Sequence, residues 1–357
     1  MNLLNSFKKS WKSRYVRSAA VLMGSAGVGQ LIGLATLPLT AILYKPSDLG
    51  LAQTVVNVLG LLGTICCGRL DQGLLLAPEK EIPRFMAAGF SLTLGISVLT
   101  AVTLSAFWTF QRGAPLAWWI MVPAILFIGW SQLIDALALR KRAFTDIART
   151  KVERSAMNFI GVVGFGYLGG GGGGLLLSQV FQNIAGTWRL WKRVGRSITS
   201  KVIFESRHGV RTIFRENGHL LWGASGSTLV NSAAWAVPPL AVAYFYGTTE
   251  AGYLALAFKC VSPVSTFIIS TLSQISIGEG ARYIENNDHA GLKRQVIGFL
   301  KISLGVAALV AIGGVVAGIY APLFLGEKWQ GTSRYLAIFA GLVAMQLAIN
   351  PLTCLPV

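Results

Sequence analysis

Lys259 stands inside an apolar run of the 357-residue chain, and Ser262, Thr266, Ser270 and Ser273 follow it at helical spacing. On a helix these side chains share one stripe. A lysine in mid-membrane costs about 2.5–3.5 kcal/mol on insertion scales, so it marks a place where a polar ligand or a wet path compensates. Its ammonium suits an anion such as a phosphate; the hydroxyls suit a polar group beside it. A lysine about two turns from the end of its run can also snorkel to the headgroups. Both readings stay open.

The pattern has a precedent earlier in the chain. Gln53, Asn57, Gly60 and Thr64 form a stripe of their own, and three of these positions lie 202 residues before Lys259, Ser262 and Thr266. The preceding apolar runs carry matching stripes, Gly29, Gly33, Thr36 and Thr40 in one and Ser225, Thr228 and Ser232 in the other. Gln30 and Asn231 join them as cavity candidates, with Gln132, Gln179 and Asn183 as weaker ones. Polar faces inside a membrane must look at protein or water. Four stripes could line one cleft, or the small residues could serve only to glue helices together. Among the acids, Asp135 lies inside an apolar run; an ion pair with Arg140 and a coupling-ion site both fit it.

Elements that could hold these stripes follow from composition. The sequence is 53% hydrophobic and 13% charged, with mean hydropathy +0.59. Soluble domains carry about 25% charge. Its apolar runs reach about 20 residues, the length a helix needs to cross a bilayer. This is an all-α, polytopic membrane protein. Ten spans are expected, near 18–43, 50–68, 85–109, 117–138, 155–169, 174–189, 219–245, 253–274, 296–320 and 334–353. The hexaglycine at 169–174 is read as a tight connection outside the bilayer.

Charge supports the layout. The net charge of +17 would suggest nucleic acid in a soluble protein. Here twenty-five basic residues fall on one side of the ten spans, against Lys45, Arg112, Lys328 and Arg334 on the other. That asymmetry is the positive-inside signal and puts the N-terminus in the cytoplasm. Residues 1–17 set Leu3, Leu4, Phe7 and Trp11 on one face, with the lysines elsewhere, and read as an interfacial helix on anionic lipid. No nucleic-acid partner is expected.

The repeat extends to the turns. "YKPSDLG" (44–50) and "YGTTEAG" (246–252) share Tyr, a hydroxyl residue, an acid and Gly at the same 202-residue offset. Each turn follows the first span of a set. The chain is therefore read as two parallel, pseudo-symmetric bundles: 18–189 with six spans, a basic cytoplasmic connector at 190–218, and 219–357 with four. The four cysteines and three histidines have no metal or disulfide spacing, so neither metal nor cofactor is expected. "GFGYLG" (164–169) lies at the end of a span, without the strand and acid that a dinucleotide site requires. Gly29–Gly33 and Gly314–Gly318 match the helix-packing pattern.

With its basic N-terminus, "GSAGVGQLIGLATLPLTAILYKPSDLGLAQ", "LRKRAFTDIARTKVERS" and "VPPLAVAYFYGTTEAGYLALAFKCVSPVSTFIISTLSQI", the chain resembles the bacterial O-antigen-type polysaccharide flippases of the multidrug/oligosaccharidyl-lipid/polysaccharide exporter superfamily. The resemblance implies two six-helix bundles facing a central cavity. It also implies transfer of an undecaprenyl-pyrophosphate-linked oligosaccharide across the bacterial inner membrane by alternating access. Polysaccharide polymerase and chain-length machinery become candidate partners alongside membrane lipid. Against twelve spans the second bundle reads as two helices short, which keeps a non-transporting remnant in view. A drug or cation antiporter would want carboxylates in its cavity; a membrane glycosyltransferase or polymerase would want acids in a large outer loop, and the outer loops here are short.

Overall fold

The computed structural model describes residues 14–111, 116–195, 210–216, 218–263, 266 and 289–353, and their regular structure is helical throughout. The first helix, α1 (Arg14–Leu43), stops ahead of Pro46. A residue before proline is pushed out of the helical region, and Lys45 is extended. Pro46 then opens α2 (Pro46–Ile65) at the one helical position where its missing N–H costs nothing. The Asp48 carboxylate accepts the Lys45 N–H at 3.3 Å, which fastens that first turn. Gly68 and Arg69, both at positive φ, break the helix and lead into α3 (Leu70–Leu76).

Next come α4 (Ile82–Gln111), α5 (Leu116–Trp119), α6 (Met121–Arg140), α7 (Phe144–Tyr167) and α8 (Gly171–Val194). A short α9 (Val210–Glu216) and a wide helical turn (His219–Ala224) lead to α10 (Ser225–Tyr246). The remainder is α11 (248–263), α12 (His289–Leu325) and α13 (Thr332–Thr353). Six stretches among the described residues are long and apolar enough to cross a membrane: Gly24–Leu43, Pro46–Ile65, Glu79–Ala106, Met121–Arg140, Trp222–Tyr246 and Arg294–Leu325.

One stretch departs from expectation. The basic segment read as a loop before the fifth span is the first part of α7, so Arg149, Lys151 and Arg154 are helical. Charge keeps it so, because α7 and α8 run side by side and exchange ion pairs there. Arg193 donates to Asp146 at 2.7 Å, and Arg189 pairs with Glu153. The hexaglycine also divides. The turn at 168–170 holds only its start, and Gly171–Gly174 already belong to α8. A Cβ on Gly172 would come within 2.8 Å of the Asp48 carbonyl oxygen, so small residues let α8 begin against the "YKPSDLG" turn.

Small residues set the helix contacts elsewhere too. Gly29 of α1 faces Ser155 of α7, Gly129 of α6 faces Thr93 of α4, and Gly161 of α7 faces Ser178 of α8. Tyr44, 2% exposed, donates its hydroxyl to the Val162 carbonyl at 2.7 Å and ties α1 to α7. Burial and the nearby Asp48 push its pKa up to about 12. In the second half, Gly314 of α12 faces Ala340 of α13, and Phe258 of α11 packs edge-to-face on Phe339. The packing role expected of Gly29, Gly314 and Gly318 is seen; Gly33 instead has open space before it.

The two repeated turns meet. A Cβ on Gly50 would overlap the Thr248 carbonyl oxygen, and one on Gly252 would overlap the Pro46 carbonyl oxygen. Gly50 and Gly252 are equivalent under the 202-residue offset, and so are Pro46 and Thr248. The contact is reciprocal, as an internal two-fold axis requires. It brings the backbones of the two halves together at the end carrying the turns, called the turn end below; the opposite end is the basic end.

Candidate central cleft

Below the Gly50–Gly252 crossing lie two chambers, of about 250 and 440 Å³, divided by a ridge of Gln53, Val56 and Phe258. Chamber A, the smaller, is lined from α1 by Gly33, Thr36 and Thr40, from α7 by Asn158, and from α8 by Ser178 and Gln179. The far half supplies Lys259, Ser262 and Pro263 from α11. Chamber B is lined from α10 by Asn231, Ser232, Trp235 and Pro239, and from α11 by Leu254, Ala255 and Phe258. Its far wall is Asn57, Gly60, Leu61 and Thr64 of α2.

These walls are images of each other. Moving 202 residues along the chain turns Gly33 into Trp235, Gln53 into Ala255, and Asn57, Gly60 and Leu61 into Lys259, Ser262 and Pro263. Each chamber is built by the leading helices of one half and closed by the second helix of the other. The halves therefore enclose one cleft with two symmetric compartments, and substitution has made their chemistry different.

The hydroxyls in chamber A are tied down locally. Thr36 donates to the Ile32 carbonyl at 2.7 Å and Thr40 to the Thr36 carbonyl at 2.9 Å, so their oxygens face the cleft mainly as acceptors. Ser178 donates to the Leu175 carbonyl at 2.6 Å and sits 3.3 Å from Asn158 Oδ1. On the ridge, Gln53 Nε2 donates to Asn57 Oδ1 at 3.0 Å. Asn57 Nδ2 is buried without a protein partner, a donor to spare on the wall of chamber B. Lys259 takes part in none of the three ion pairs among the described residues. Among the described residues, no Asp or Glu lines either chamber.

Of the residues singled out from sequence, Lys259, Ser262 and Gln53 line chamber A, while Asn57, Thr64, Asn231, Ser232 and again Gln53 line chamber B. Gln179 lines chamber A as well. Thr228 bonds to the Ala224 carbonyl and Thr266 to the Ser262 carbonyl; neither reaches a chamber wall, nor does Gln30. Ser270 lies outside the described residues. Gln132 is a packing group, donating to the Gly63 carbonyl inside the first half. Asn158, Ser178, Trp235 and Phe258 are walls that sequence reasoning did not name.

Asp135 does not pair with Arg140. It receives a two-pronged contact from Arg154 of α7, at 2.8 and 3.2 Å, while Arg154 also reaches Thr187 of α8 at 3.0 Å. Arg140 donates to the Leu74 carbonyl at 2.7 Å. Two prongs at fixed geometry are the strong form of this pair. Arg154→Ala should therefore lower thermal stability of the detergent-purified protein by about 2 kcal/mol, since it strands Asp135 and Thr187. An unchanged melting curve would make the pair ornamental.

The described residues thus define a polytopic helical membrane protein whose two symmetry-related halves enclose a polar cleft. A family model described as "Polysaccharide biosynthesis protein" matches residues 84–334, and the chain belongs to that family. The family resemblance drawn from its sequence holds at that level. It is distantly similar to the crystal structure of the eukaryotic MATE transporter AtDTX14, at 14% identity and a TM-score of 0.40 over 96% of this chain and 81% of that one. No curated protein matches it.

Proposed function

We propose that this protein flips an undecaprenyl-pyrophosphate-linked oligosaccharide from the inner to the outer leaflet of a bacterial inner membrane, by alternating access, for cell-surface polysaccharide synthesis. The observation that carries this reading is Lys259 in a cleft between two halves whose repeated turns meet backbone to backbone. A cation there suits a pyrophosphate, and amides and hydroxyls suit sugar. The positive-inside pattern puts the turn end outside. The cleft would then face the cytoplasm, where such a lipid-linked sugar is assembled. The lipid tail stays in the bilayer beside it.

A drug or cation antiporter on the same plan would want a carboxylate to meet its substrate. Asp135 is occupied by Arg154, and among the described residues the chamber walls carry none. The same pair argues against Asp135 as the coupling-ion site, since coupling would first have to break it. The reading is of a carrier rather than an enzyme, with polymerase and chain-length machinery as its neighbours in the pathway.

The test is complementation of a strain lacking its O-antigen flippase. The parent chain should restore surface polysaccharide, and Lys259→Met should cut it at least about tenfold, in keeping with the loss of a charged hydrogen bond. A well-expressed parent that restores nothing would overturn the assignment. Full activity in the Met variant would remove Lys259 from it.

A further inference from the structure

We infer that the two chambers divide one ligand between them, with the anionic group held in chamber A at Lys259 and a pyranose ring stacked on Trp235 in chamber B. This rests on the flippase reading and says how the substrate lies within the cleft.

The argument starts from the broken symmetry. The two-fold fixes equivalent positions, so each difference between equivalents is a chemical choice made on a common frame. Lys259 and Asn57 are equivalents, one on the far wall of each chamber. The full charge therefore faces chamber A alone. Around it stand the neutral side chains of Gln53, Asn158, Gln179 and Ser262, and among the described residues no acid to neutralise it. Such a site takes an anion.

Gly33 and Trp235 are the second broken pair. Glycine leaves open space at the α1 position, and tryptophan fills its equivalent on α10. Trp235 is 51% exposed, so its ring is not spent in a core. Beside it lie Asn231, Ser232 and Thr64, and Asn57 Nδ2 waits without a partner. An aromatic face with amides and a hydroxyl at its rim offers what a sugar ring presents, an apolar C–H face and a belt of hydroxyls. Chamber B also has the larger volume, about 440 Å³ against 250 Å³, as a ring requires relative to a phosphate. The chambers share the Gln53–Val56–Phe258 ridge, so one ligand can lie across both.

The experiment uses the full chain in lipid nanodiscs and two kinds of probe: farnesyl pyrophosphate, which has no sugar, and farnesyl-pyrophosphoryl N-acetylglucosamine or galactose. The parent should bind the sugar-bearing probes more tightly than the bare pyrophosphate. Trp235→Ala should leave affinity for the bare probe unchanged and erase the sugar's increment, a loss of about five- to tenfold. Trp235→Phe should retain most of it and guards against misfolding. Lys259→Met should weaken all the probes together by about tenfold or more. If both hexoses bind no better than bare pyrophosphate, or if Trp235→Ala weakens all the probes alike, the division is wrong while the flippase reading stands. If the folded parent binds none of them, both fall.

Discussion

Leucine in place of Gly50 or Gly252 is expected to prop the turn end open and to cut surface polysaccharide about a hundredfold. The added side chain has nowhere to go. Its first carbon would already overlap a backbone carbonyl of the other half, of Thr248 in one case and Pro46 in the other. Overpacking a core typically costs about 1–3 kcal/mol, because side chains yield. Here the obstacle is backbone, so the upper end applies. About 2.8 kcal/mol is a hundredfold shift between two states. A carrier locked open at one end fails as surely as one locked shut. The measurement that separates this from misfolding is labelling of a cysteine placed at Gln53, in a background without the native cysteines, by a membrane-impermeant maleimide on whole cells. Labelling should rise in both leucine variants. A Gly50→Leu protein that transports normally and labels no faster would show that the crossing is not a gate.

That crossing was half legible in the sequence. The two turns announce themselves because a seven-residue pattern recurs at one offset and because polar stripes stand out in apolar runs. Lys259 and Asn57 could be paired as equivalents for the same reason. What the pattern could not say is that the two turns touch, since contact between halves is tertiary. Other misses have physical causes of the same kind. Asn158 and Ser178 reach chamber A from α7 and α8, whose position depends on how those helices fold back on α1 and α2. Trp235 is silent in a hydropathy reading, because an aromatic ring in an apolar run looks like core. Arg140 lies five residues after Asp135 and so off its face of the helix; Arg154, from another helix, is the partner that geometry allows. The start of α7 was hidden by its charge, which is balanced by partners on the neighbouring helices α6 and α8.

The symmetry also separates what is shared from what is special. Tyr44 and Tyr246 open the same motif, yet Tyr44 is 2% exposed under α7 and Tyr246 is 73% exposed. The first half is thus anchored at the turn end by its own helices. The second half is anchored there by a different device, the turn after α12.

Trp329→Ala is expected to cost about 3 kcal/mol of stability, because that turn is where the second half grips the first. Trp329 is fully buried, stacks edge-to-face on Tyr253 of α11, and donates its indole N–H to the Ala41 carbonyl at 2.9 Å. Beside it Lys328 donates to the carbonyls of Ile42 and Tyr44 at 2.9 and 3.2 Å. The Ala41 and Ile42 carbonyls are among the last of α1, which have no partner within their own helix and carry the negative end of its dipole, and the Tyr44 carbonyl follows just beyond its end. A tryptophan N–H and a lysine from the opposite half supply both the donors and the charge they lack. Opening the turn end must break this grip together with the glycine crossing, so the two should act as one element. Trp329→Ala in purified protein should lower the melting temperature by several degrees. Trp329→Phe, which keeps most of the ring and loses only the N–H, should melt nearer to the parent and still raise labelling at Gln53, because an unmet Ala41 carbonyl weakens the closed state alone. If the Phe variant labels no faster than the parent, the turn is a structural prop and the gate consists of the glycines by themselves.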